Sequence, residues 1–226
     1  MRIRAVRILA LLASLFPLAV QAGLPAEVEI FDRTAGRVLP TYIHDGERYV
    51  AGEPGHEYEI RLRNRTAGRV LAVTSVDGVN VVSGRTAAAD QSGYVIDARG
   101  AVEIDGWRKS LDEVAAFYFT PLPDSYAART GRPDNVGVVG VALFRERRAL
   151  LPAPSMPSRR EDAADATVDG PAAGAAARKA APAEERLGTG HGPRRDSSAR
   201  YTRFERASAE PESVIRIVYD SRRNLL

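Results

Sequence analysis

The sequence predicts an all-β protein: a single β-sandwich, Ig-like or jelly-roll-like, with a long disordered loop before a C-terminal strand. Three observations predict it. From Gly23 to Leu150, short apolar-rich runs are separated by turn residues, and few stretches have helical period. Tyr58 to Arg63 alternates strictly, which puts Tyr58, Ile60 and Leu62 on one face of a sheet. Asp77-Gly78 lies between two apolar runs, a pair that two-residue hairpins favour because both turn positions need positive φ.

A leader precedes these elements. Arg2, Arg4 and Arg7 form a positive segment, Ile8 to Val20 an apolar one broken by Pro17, and Val20-Gln21-Ala22 a small-residue cleavage site. The apolar run has 13 residues, short of the about 20 that a bilayer-spanning helix needs. Residues 1–22 are therefore expected to be a signal peptide, cleaved after Ala22, with the product periplasmic or secreted. The longest later apolar run, Val136 to Phe144, has 9 residues including Gly137 and Gly140, so no membrane span is expected after cleavage.

Removing the leader changes the charge. The chain has 226 residues, with 32 Lys+Arg against 29 Asp+Glu. The three leader arginines account for the whole excess, so the mature chain is formally neutral and gives no ground for expecting a nucleic-acid partner. There is no cysteine, which excludes a lipid-modified cysteine, disulfides, thiolate zinc sites and cysteine nucleophiles.

Within the core unit, residues 23–150, Val28 to Phe31 is the first strand. Arg37 to Tyr42 and Arg48 to Ala51 flank a His44-Asp45-Gly46 turn, followed by Tyr58 to Arg63 and Val70 to Val73, with Val79 to Val82 returning from the Asp77-Gly78 hairpin. Tyr94 to Asp97, Ala101 to Ile104, Ala116 to Thr120 and Val136 to Phe144 complete about ten strands, the spacing of a sandwich or barrel. Val136 to Phe144 lacks a polar face and is expected to be a central strand buried on both sides. Two short helical turns are expected: one opened by Ser110 with Glu113 as a capping box, the other running from Ser125 to Thr130 behind an Asp124 cap and closed by Gly131.

At Leu151 the composition shifts to Ala, Pro, Gly and Arg, and residues 151–200 have almost no large apolar side chains beyond Leu187. Such a stretch cannot offset the roughly 1–2 kcal/mol per residue that backbone ordering costs, so it is expected to be a disordered linker. Strand character returns at Tyr201 to Phe204 and Val214 to Tyr219. Residues 201–226 are too few for a core of their own and are expected to pack back on residues 23–150.

No motif fixes a reaction. The spacings His-Glu-x-x-His and Gly-x-Ser-x-Gly and the EF-hand loop are absent, so no catalytic residue, metal or cofactor is expected. His44 and His56 fall at turns and read as solvated. His191, in Leu187-Gly188-Thr189-Gly190-His191-Gly192, could join backbone N–H groups around an anion. Trp107, Arg108 and Tyr118 lie in the densest aromatic and basic neighbourhood, with Phe117 and Phe119 turned the opposite way from Tyr118. Trp107 and Tyr118 together in solvent would anchor a partner, and otherwise they belong to the core. The candidate binding residues are thus Trp107, Arg108, Tyr118 and His191.

The runs Val73 to Val81, Gly106-Trp107-Arg108, Asn135 to Gly140 and Gly188 to Gly192 resemble a group of exported proteobacterial proteins of unknown function. The resemblance covers residues 27–147 and 187–226, skips the linker and implies export without supplying an activity. The expected role is a non-enzymatic binding or interaction module of the cell envelope, its partner an envelope or extracellular protein or a glycan. The alternatives are an envelope-polymer hydrolase using His191 with nearby carboxylates, and a structural component of an envelope assembly.

Overall fold

The computed structural model describes residues 24–132, 135–148 and 186–225, so the expected leader and most of the expected linker lie outside the described residues. In chain order the strands are β1 (Ala26–Asp32), β2 (Arg37–Val38), β3 (Thr41–His44), β4 (Glu47–Gly52), β5 (Glu57–Asn64), β6 (Val70–Val76) and β7 (Val79–Asn80). Then come β8 (Tyr94–Ile96), β9 (Ala101–Ile104), β10 (Gly106–Arg108), β11 (Glu113–Pro121), β12 (Val138–Arg145), β13 (Leu187–Asp196) and β14 (Ser213–Ser221). Single turns α1 (Tyr126–Arg129) and α2 (Arg222–Leu225) follow β11 and β14.

These strands make two packed sheets, as an all-β sandwich requires. In the first, β1 joins β2 to β5, β5 carries β9 and β11, and β11 carries β10 and β13. The second runs β3-β4-β14-β12-β6, with β7 and β8 both on β6. Every pairing is antiparallel except that of β14 with β4. The alternation of β5 does what the sequence predicts: Tyr58, Ile60 and Leu62 are buried between the sheets, with Ile30, Phe117, Phe119, Val141, Leu143 and Ile217.

The Asp77-Gly78 hairpin forms as expected, with φ of 51° and 70°. A Cβ on Gly78 would come within 2.8 Å of the Asn135 side chain, so the turn needs glycine for space as well as for φ. Asp77 is fully buried. Its Oδ1 accepts from the Gly137 N–H at 2.9 Å and the Tyr219 hydroxyl at 2.5 Å, and its Oδ2 accepts from the Thr189 N–H at 2.7 Å. The Thr189 hydroxyl lies 2.6 Å from the Tyr219 hydroxyl and 2.5 Å from that of Tyr58, which ties both sheets into one network. Burial pushes the Asp77 carboxyl up to about 6, against the opposing pull of these hydrogen bonds.

Several expectations need correction. The glycine-rich segment is not linker: Leu187–Asp196 is a ten-residue strand on β11, so the ordered C-terminal part starts well before residue 201. Its glycines serve packing. A Cβ on Gly190 would lie 2.1 Å from the ring of Tyr118, its cross-strand partner, so the ring covers bare backbone there. Strand β12 begins at Val138, and only Val139, Val141 and Leu143 turn fully into the core. It lies centrally between β14 and β6, and Phe144 turns the other way, into a second cluster with Leu71 and Val73 of β6 and with Phe204, so both β12 and β6 have buried side chains on both faces. The segment between β13 and β14 brings Phe204 there, pinned by Arg147 N–H to Glu205 C=O and Ala207 N–H to Arg145 C=O. Ser110 caps no helix: its hydroxyl accepts from the Asp112 and Glu113 N–H groups in a turn, and Glu113 enters β11. The cap of α1 is Ser125, which accepts from Ala128 N–H, while Asp124 belongs to the preceding 3-10 turn.

The C-terminal strand packs back as expected and sits inside the second sheet. It pairs with β12 from Ser213 to Val218 and with β4 from Ile217 to Ser221, so it alone links the β3–β4 hairpin to the rest of that sheet. Ending the chain at Arg200 is expected to lower the thermal stability of the remainder sharply, and an unchanged melting curve would refute this. A second expectation concerns Asp77. Its folded pKa lies above the ordinary 3.8, so its contribution is complete below that value and falls as pH rises through about 6. The stability difference between the wild type and Asp77→Asn, from urea unfolding, should therefore shrink by about 2–3 kcal/mol between pH 4 and pH 7. A pH-independent difference would contradict it.

Candidate functional site

Three of the four residues singled out from sequence are structural. Trp107 is 2% exposed, with its ring edge-on to Phe117 at 5.1 Å and tilted against Tyr126 at 5.1 Å. It cannot anchor a partner in solvent, because pairing of β10 with β11 turns it into the core. Arg108 donates from Nε and Nη2 to the Tyr94 hydroxyl, and from Nη1 to the Ser197 carbonyl, so it fastens the segment that follows β13. Tyr118 does face away from Phe117 and Phe119, but its ring is spent on Gly190.

His191 is exposed on β13, its ring 5.6 Å from that of Tyr126. Partial burial and then the positive charges of Lys109, Arg129 and Arg194 hold its imidazole below the usual range. The charges that shift His191 most are cations, so they lend no support to the hydrolase alternative, which needed carboxylates beside it.

A groove of about 1050 Å³ opens instead along the β3–β4 hairpin. Tyr42 and Tyr49 are directly opposed in the antiparallel pair, so both project from the same sheet face, and His44 and Ala51 line the groove from that face too. Arg37, Leu39 and Pro40 close one side, where the chain crosses from the first sheet to the second, and Ser221, Arg222 and Asn224 close another. Tyr42 is 59% exposed although it is a large aromatic residue.

Asp32 and Glu53 line the groove where His56 is held. The His56 Nδ1 lies 2.8 Å from Oδ2 of buried Asp32, whose Oδ1 accepts from the Ala35 N–H at 2.8 Å. Its Nε2 faces Glu53 at 3.7 Å. His56 is therefore no solvated turn residue. The hydrogen bond to Asp32 raises its pKa, partly offset by burial, and the Asp32 and Glu53 charges add to the rise. The Arg37 charge opposes that rise. Sequence reading missed this pair because its members lie 24 residues apart and meet only through the β1–β5 register, Asp32 opposite Tyr58.

No group of three or more His, Cys, Asp or Glu side chains among the described residues could hold a metal ion. Among them, too, no helix is long and apolar enough to cross a membrane. Comparison with family models, curated proteins and solved structures returns no match for the chain.

The Asp32–His56 pair has a measurable signature. Because the folded pKa of His56 is raised, its stabilising contribution is complete below the ordinary value near 6.5 and is lost as pH rises through the folded one. In an NMR titration, Asp32→Asn should lower the midpoint of the His56 imidazole toward 6.5. A midpoint that does not move would remove Asp32 as the cause.

Proposed function

We propose that this chain is an exported, non-enzymatic binding module of the cell envelope, which holds a segment of a glycan polymer in the groove on the β3–β4 hairpin. Tyr42 and Tyr49, cross-strand partners that both line the groove, carry this reading. An aromatic ring offers a flat apolar surface with a polar hydroxyl at its tip, which suits a sugar whose C–H face is apolar and whose rim is polar. The groove, at about 1050 Å³, reaches the upper end of the roughly 300–1,000 Å³ typical of small-molecule pockets. It is open rather than enclosed, as the passage of a longer chain requires. The leader supports export, and the neutral mature charge and lack of cysteine agree with a module that holds itself together by packing.

Co-sedimentation with purified peptidoglycan sacculi tests the proposal. The mature chain should pellet with sacculi, and Tyr42→Ala should weaken retention about tenfold, equivalent to roughly 1.4 kcal/mol. Tyr201→Ala, at a residue 90% exposed outside the groove, should leave retention unchanged. Retention insensitive to Tyr42→Ala would overturn the assignment of the groove.

A further inference from the structure

The charges of the groove narrow its occupant, given the glycan reading above. Its two acidic side chains are already engaged. Asp32 holds His56 and the Ala35 N–H, and Glu53 faces the other nitrogen of His56. Its two guanidiniums, Arg37 and Arg222, are exposed and have no ion-pair partner among the described residues. Some other arginines do close on carboxylates: Arg33 and Arg61 on Glu59, Arg195 on Glu57, and Arg216 on Glu47. A guanidinium takes a carboxylate through two parallel N–H bonds, a fit that no neutral sugar offers.

Geometry sets the cations around the rings. Arg37 belongs to β2 and Arg222 to α2, and the β3–β4 face with Tyr42 and Tyr49 lines the same groove. We infer that the groove takes an acidic glycan, its sugar faces laid on Tyr42 and Tyr49 and its carboxylates held by Arg37 and Arg222. The ligand is thus a polymer of uronic-acid type rather than a neutral polysaccharide. An acidic peptide would engage the arginines but has no repeating flat face for the two tyrosines.

The test uses the full mature chain and three probes in calorimetric titrations: polygalacturonate, its fully methyl-esterified form and polyglutamate. Polygalacturonate should bind at least tenfold tighter than the ester, which has the same backbone without the charge, and added salt should narrow that gap. The double variant Arg37→Gln/Arg222→Gln should abolish the preference while keeping the weak binding of the ester, and Tyr42→Ala should weaken both polymers. Equal binding of acid and ester, or a preference that survives the double variant, overturns the charge assignment and leaves the glycan reading standing. Tighter binding of polyglutamate than of polygalacturonate replaces the glycan with an acidic protein. Binding of neither polysaccharide overturns the charge assignment, and if retention on sacculi is also insensitive to Tyr42→Ala, the groove reading falls with it.

Discussion

The buried carboxylate of Asp77 joins four segments that are far apart in the chain. It sits in the β6–β7 turn and accepts from Gly137 ahead of β12, Thr189 in β13 and Tyr219 in β14, and Thr189 passes the network on to Tyr58 in β5. Burying an ionised group is costly unless its lone pairs are filled. Here three donors fill them, and burial still wins by enough to raise the carboxyl to about 6. The cost is accepted where two sheets and the C-terminal third of the chain must come into one register.

Much of the remaining architecture follows from where that network puts β13 and β14. With Thr189 fixed, Gly190 falls opposite Tyr118 and Gly188 against Ser125 and Val136, positions where a side chain would collide. With Tyr219 fixed, β14 fills the gap between β12 and β4. The segment between these two strands then crosses the outer face of the second sheet, where Phe204 covers Leu71 and Val73 and the Arg206 guanidinium lies 4.1 Å over the Phe144 ring. The two sheets also end differently. The outer end of edge strand β13 carries Pro193 and charged Arg194 and Arg195, which discourage further strand pairing, whereas β3 leaves Tyr42 and Ile43 open. The groove lies at this second, less guarded edge.

The parts of the candidate site legible in sequence were those set by local rules. Turn chemistry placed the His44-Asp45-Gly46 and Asp77-Gly78 turns, and a period of two placed Phe117 and Phe119 inward and Tyr118 outward. The site itself was not legible. Tyr42 and Tyr49 look like ordinary strand residues until the hairpin opposes them, and His56 looks like a turn residue until β1 brings Asp32 to it. The aromatic and basic cluster around Trp107 drew attention by its composition, yet density of residue types says nothing of the face they occupy, and pairing with β11 buried the indole.

By itself the sequence determined the all-β class, the hairpin turns, the absence of cysteine chemistry and the need of the C-terminal strand for a partner sheet. Each depends on composition or on residues a few positions apart, where steric limits on φ and the two-residue period act directly. The tertiary structure decided that the glycine-rich segment is a strand, that Trp107 is core, that Asp77 joins the sheets and that the open groove lies beside β3. Those outcomes depend on contacts between residues as far apart as Asp77 and Tyr219, 142 positions, or Glu47 and Arg216, 169 positions. Which of many chemically acceptable partners meet is fixed only when both sheets close over one core.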